Sequence, residues 1–168
     1  MVLGEKPSTA KLLDLAIFWK TQTSGYYEFL GRAVGDPILK QRFRLLAAEE
    51  RDHRTILRKY RRDLCKRTSS AQNPEEERSM EERFSFRAIF DQEDLKTAIR
   101  IMCRAEEKSL AFFSQASARI DDREGRIFLR LLSEEGTVHG GMLREVIEYV
   151  DRKEIRITKA GQVCAGRK

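Results

Sequence analysis

The stretch Ala47-Ala48-Glu49-Glu50-Arg51-Asp52-His53 limits what this chain can fold into more than any other, because it sets a carboxylate and an imidazole inside an otherwise apolar stripe. At helical spacing the stripe runs Leu39, Phe43, Leu46, Glu50, His53, Leu57, Tyr60, so Glu50 and His53 sit one turn apart on the face a helix buries. An unpaired carboxylate is costly to bury, so Glu50 requires partners from elsewhere in the chain. A Glu-x-x-His pair directed into a helix bundle can find such a partner in a metal ion.

Helical periodicity recurs three more times. A first segment from about residue 8 to 34 carries the stripe Leu12, Ala16, Trp19, Lys20, Thr23, Tyr27, Leu30, Val34, in which Lys20 is the anomaly. Gly35-Asp36-Pro37 closes it and opens the second helix, with Asp36 as N-cap and Pro37 in the first turn. So short a connection makes the first two helices an antiparallel hairpin. A third helix spans about 91–119 with Leu95, Ala98, Ile99, Met102, Glu106, Ser109, Leu110 and Phe113 inward. After Asp121-Asp122, a fourth runs to about Asp151 through Phe128, Leu132, Gly136, His139, Leu143, Val146 and Val150. Between the hairpins, residues 67–92 break the pattern and read as a crossover whose Phe84, Phe86 and Phe90 cover apolar surface.

The two hairpins repeat at an offset of 86 residues, which superposes Asp36 on Asp122, Leu46 on Leu132, His53 on His139, Tyr26-Tyr27 on Phe112-Phe113 and Lys20 on Glu106. Caps and buried polar positions coincide together, which argues for a pseudo-twofold four-helix bundle. The expected architecture is all-α, with two antiparallel helix hairpins joined by a long crossover. The bundle occupies residues 8–154, and residues 155–168 form a basic, flexible tail.

Composition narrows the function classes. The 168 residues suit one domain, and 40% apolar with 36% charged residues suits helices with solvated outer faces. No run resembles a membrane span or a signal peptide, so the expected setting is cytoplasmic. Cys65, Cys103 and Cys164 are widely spaced free thiols, with no Cys-x-x-Cys pair for a zinc ribbon or a rubredoxin-type iron centre. The net charge of +6 is partly in the tail, and no stacking set or nucleic-acid motif accompanies it, which argues against a nucleic-acid partner. Met102 and Met142 read as core filling.

Lys20, Glu50, His53, Glu106 and His139 all fall at mid-height. The layout resembles the ferritin-like superfamily, and within it the di-iron domain of the rubrerythrin family, over about Leu12 to Val150. The segments 46–53 and 132–139 both look like that family's metal-binding helices. The resemblance implies that helices one and three each give a Glu and helices two and four each give Glu-x-x-His. Glu50, His53, Glu106 and His139 match ligand positions, whereas Lys20 and Gly136 stand where carboxylates belong. The resemblance further implies an oxidoreductase of peroxidase or ferroxidase type and a homodimer, without an attached rubredoxin domain.

Two divalent ions about 3.5–4 Å apart need bridging carboxylates, so the two losses disfavour a full di-iron centre. One Fe, Mn or Zn ion remains compatible with Glu50, Glu106, His53 and His139, and Glu135 could swing in from one turn before His139. The alternative is a metal-free homologue that acts as a dimerising or partner-binding module, with the Lys20 ammonium replacing the metal charge.

Overall fold

The computed structural model describes residues 8–68 and 88–162. Four helices follow in order: α1 (Thr9–Ala33), α2 (Pro37–Thr68), α3 (Gln92–Ser117) and α4 (Arg123–Asp151). Their starts are set by short polar side chains that satisfy the first amides. Ser8 accepts from Lys11 N, Asp91 from Asp94 N and Asp122 from Gly125 N, while Asp36 accepts from the amides of both Ile38 and Leu39. Helix α1 packs along α2 and α3 along α4, and the hairpins meet through α1 with α3 and α2 with α4. The fold is the all-α four-helix bundle of two hairpins expected from the periodicity.

The apolar core is divided in two. One half gathers Tyr27, Leu30, Phe43, Leu46, Ile99, Met102 and Leu143, and the other gathers Leu13, Ala16, Leu57, Phe113, Leu129 and Leu132. The division falls at Lys20, Thr23, Glu50, Glu106, Ser109 and His139, all buried. In each helix the polar intruder lies between residues of one half and residues of the other. A polar layer is thus sealed above and below by hydrocarbon, and its charges must be satisfied within it.

Three expectations are corrected. The segment after residue 154 is docked rather than free as far as residue 162. Ile155 is buried, Ile157 bridges to Val34, and Gly35 and Ala33 exchange backbone hydrogen bonds with Arg156 and Thr158. The remaining residues of the expected tail, 163–168, lie outside the described ones. Phe90 is 63% exposed and covers nothing; its neighbour Ile89 fills that role, while Phe84 and Phe86 lie outside the described residues. Met142 is exposed on the outer side of α4, whereas Met102 is core. Cys65 and Cys103 are free and partly buried, and Cys164 lies outside the described residues. Among the described residues no helix is long and apolar enough to cross a membrane.

Candidate metal centre

Glu50 is the hub of the polar layer. Its Oε1 receives Lys20 Nζ at 2.8 Å, with both side chains fully buried, and its Oε2 receives the Thr23 hydroxyl at 2.5 Å. From α4, His139 Nδ1 approaches to 3.3 Å from Glu50 Oε1 and 3.7 Å from Glu106 Oε1. Glu106 Oε1 also accepts from the Tyr27 hydroxyl at 2.6 Å. Lys20 Nζ lies 5.2 Å from the centroid of the Phe113 ring, whose face adds a cation–π contact to the fully buried ammonium.

Glu50, Glu106 and His139 each offer a ligand atom, and these atoms lie within 4.8 Å of one another. Glu106 Oε2 and His139 Nδ1 are buried without a hydrogen-bond partner among the described residues. With Glu106 Oε2 left unbonded and His139 Nδ1 3.3 Å from Glu50 Oε1, the three side chains form a donor set that a divalent ion would complete, so the residues present fit one ion.

His53 is not part of that three-residue cluster. Its Nδ1 is 3.9 Å from Glu50 Oε1, while its Nε2 meets Glu135 Oε2 at 2.7 Å on the rim between α2 and α4. Glu135 therefore faces His53 rather than the triad. On the same rim Glu49 Oε2 meets His139 Nε2 at 3.0 Å, and the two imidazoles stack with centroids 6.5 Å apart. The two Glu–His pairs cross: Glu49 of α2 holds the histidine of α4, and Glu135 of α4 holds the histidine of α2. Each carboxylate orients a ring whose other nitrogen is turned inward.

The electrostatics are those of a closed cluster. Burial alone would raise the Glu50 pKa, but His139, His53 and Lys20 overturn that and hold it well below the usual carboxylate range. Burial likewise disfavours the His139 imidazolium, yet the Glu106 and Glu50 carboxylates outweigh it and push its pKa up to about 10. Burial and then Glu106 push the Tyr27 phenol well above its ordinary value, so it remains a donor. Two carboxylates face one ammonium and one imidazolium, and a metal entering here competes with the His139 proton.

The internal repeat explains the asymmetry. Thr23 corresponds to Ser109 and Glu50 to Gly136 at the same offset. Thr23 has a carboxylate to donate to, whereas the buried Ser109 hydroxyl has no partner among the described residues. Gly136 itself has room: an added Cβ would meet nothing nearer than 3.6 Å, at Glu106 O and Leu110 Cβ. The second half-site thus keeps the hydroxyl of the first and room for a Cβ at Gly136, and lacks its carboxylate.

Sequence reasoning found Lys20, Glu50, Glu106 and His139 but missed Glu49, and it left the Thr23 and Tyr27 hydroxyls without partners. The signal for Glu49 was available, since the 86-residue offset places it on Glu135.

No curated protein matches the chain. A solved structure of a hypothetical protein from Pyrococcus furiosus is similar in fold, with a TM-score of 0.73 at 22% identity, covering 89% of this chain and 94% of that one. A family profile for rubrerythrin matches residues 11–147, which include all four helices' contributions to the polar layer. With that match over most of its length, the chain belongs to the rubrerythrin family.

Proposed function

We propose that the protein binds one divalent ion between Glu50, Glu106 and His139, and that with iron bound it serves the oxygen or peroxide chemistry that membership of the family implies. The observation that carries the reading is the buried cluster of ligand atoms from Glu50, Glu106 and His139, within 4.8 Å of one another, in which Glu106 Oε2 has no hydrogen-bond partner among the described residues. Bound iron would supply the redox step. The protein's own part is positioning: Tyr27 fixes Glu106 through Oε1 and leaves Oε2 open, Thr23 holds Glu50 through Oε2, and Glu49 orients His139. Gly136 brings no bridging carboxylate and Lys20 stands beside the other metal position, so a second ion is disfavoured.

Anaerobic titration with Fe(II), Mn(II) and Zn(II) tests the reading: one equivalent per chain is expected, with loss of binding in Glu106→Gln. Peroxide consumption by the iron-loaded protein, absent in the same variant, tests the redox part. Failure to bind any of the three ions overturns both parts.

A specific observation favours a second reading. The Lys20–Glu50 pair, at 2.8 Å and zero exposure, already supplies a positive charge to the carboxylate. In that reading the layer is a metal-free network and the chain a dimerising or partner-binding module. A Lys20→Met variant that binds metal more tightly than the wild type favours the first reading, and unchanged absence of metal in both favours the second.

A further inference from the structure

The polar layer meets solvent along the seam between α2 and α4. The other seams are tighter. Between α1 and α2 the buried Ser24 hydroxyl donates to the carbonyl of buried Ala47 at 3.2 Å. Between α3 and α4 the missing side chain of Gly136 lets the backbones close up, with Glu106 O 3.6 Å from where its Cβ would stand. Between α1 and α3 buried Tyr27 donates to buried Glu106, and the Phe113 ring lies beside Lys20.

Across the α2–α4 seam, contacts instead step inward from water to the layer. Glu135, its side chain 44% exposed, meets His53 Nε2 at 2.7 Å. His53, 13% exposed, turns its Nδ1 to 3.9 Å from Oε1 of the fully buried Glu50. Glu49 and His139 make a parallel step, but His139 already belongs to the inner cluster. His53 does not. Its Nδ1 has no hydrogen-bond partner among the described residues, since 3.9 Å is beyond the reach of a hydrogen bond. One imidazole thus carries a nitrogen on each side of the boundary, facing an exposed carboxylate with one and a buried carboxylate with the other.

A hydrated divalent ion cannot reach Glu50 through either apolar half of the core, because it would shed water with nothing to replace it. It must exchange waters for protein donors in steps. Glu135 Oε2 and His53 Nε2 offer an oxygen and a nitrogen at the rim, and Glu50 Oε1 with His53 Nδ1 offers the same pair one step deeper. Two donors hold such an ion weakly, which suits a way-station, where binding must be favourable enough for entry and weak enough for departure. Glu106 Oε2, buried and unbonded, waits at the inner end.

We infer that Glu135 and His53 form a transit site for the divalent ion, taking it from solvent and, as the His53 side chain swings, delivering it to Glu50, Glu106 and His139. The inference rests on the one-ion reading above. The rim is passed through, and the inner cluster is where the ion stays.

Stopped-flow exchange of Zn(II) between a chromophoric indicator and the full chain, with release into excess chelator, tests the route. Entry and exit share one path, so loss of a transit residue slows both by the same factor and leaves Kd unchanged. Loss of a residue that merely orients a ligand weakens Kd, by about 10–100-fold. Glu135→Gln should slow uptake and release about tenfold each, with one Zn(II) still bound per chain. Glu134→Gln, the same loss of charge one position away on an exposed side chain paired with Arg130, should change neither rate. A weaker Kd with uptake unchanged would make Glu135 an orienting residue and overturn the transit site. Wild-type rates in Glu135→Gln would overturn the route and leave the metal centre standing. Equal slowing in Glu134→Gln would reduce the effect to surface charge and overturn it too. A wild-type chain that takes up no Zn(II), Fe(II) or Mn(II) would overturn the metal centre and the route together.

Discussion

Replacing Lys20 with methionine removes the ammonium and keeps an unbranched side chain of similar length at a position with no solvent exposure. Glu50 would then keep the Thr23 hydroxyl at 2.5 Å and the His139 ring at 3.3 Å but lose its 2.8 Å ion pair. Breaking a buried pair by removing one partner costs about 3–5 kcal/mol, because the remaining charge stays desolvated. His139, its pKa pushed up to about 10 by Glu106 and Glu50 against the opposing effect of burial, still balances part of the charge, so the lower end applies. A loss of about 3 kcal/mol in metal-free protein corresponds to a fall in Tm of roughly 6–12 °C for a chain of this size.

The pH dependence is distinctive. Glu50 is held well below its ordinary range, so its contribution is fully present above the unfolded carboxyl pKa of about 4.3 and fades as pH falls through the lower folded value. Chemical denaturation of wild type and variant from pH 7 down to pH 3 should therefore show the gap closing in acid. A gap below about 1 kcal/mol at pH 7, or one that widens in acid, refutes the charge-balancing role of Lys20.

The other predictions follow from the same geometry. Lys20→Glu combined with Gly136→Glu should raise metal stoichiometry from one to two by elemental analysis, since the first removes the ammonium and the second adds a carboxylate where there is room for its Cβ. Thr23→Val should cost about 1.5–3 kcal/mol because a hydrogen bond to a buried carboxylate is lost, whereas Ser109→Ala should be neutral or stabilising because its hydroxyl is unpaired; equilibrium unfolding distinguishes them. Gly125→Ala should destabilise by about 1–3 kcal/mol, because the new Cβ would stand 2.5 Å from the Tyr60 hydroxyl that donates to Asp122. Asp36→Ala should cost about 1–2 kcal/mol at neutral pH through the lost α2 cap. Burial opposes but the Leu39 amide and Lys153 lower the Asp36 pKa, so that cost should shrink below pH 4 as the carboxyl takes up its proton.

Much of the architecture was legible because it rests on period and punctuation. Asp36 and Asp122 cap where their positions between stripes required, and the buried polar residues fell where helical spacing put them. What could not be read was how the two hairpins cross-connect. Glu49 looks like an ordinary surface carboxylate along its own helix and Glu135 reads as a metal ligand in reach of its own helix's histidine, and only the approach of α2 to α4 reveals that each serves the other helix's histidine. His53 was placed with the ligands because its spacing from Glu50 matches the family motif, yet its Nε2 is engaged at the rim. The docked segment 155–162 was misjudged from its charge. Its alternating Ile155-Arg156-Ile157-Thr158 is a short strand pattern, with Ile155 buried and the Arg156 and Thr158 backbones bonded to the end of α1.

Anomalous diffraction from crystals of the wild-type chain grown with Mn(II) tests the central claim most directly. The account predicts one peak per protomer within bonding distance of Glu50, Glu106 and His139. No peak at that point, or a single peak on the rim between Glu49 and Glu135, would contradict it.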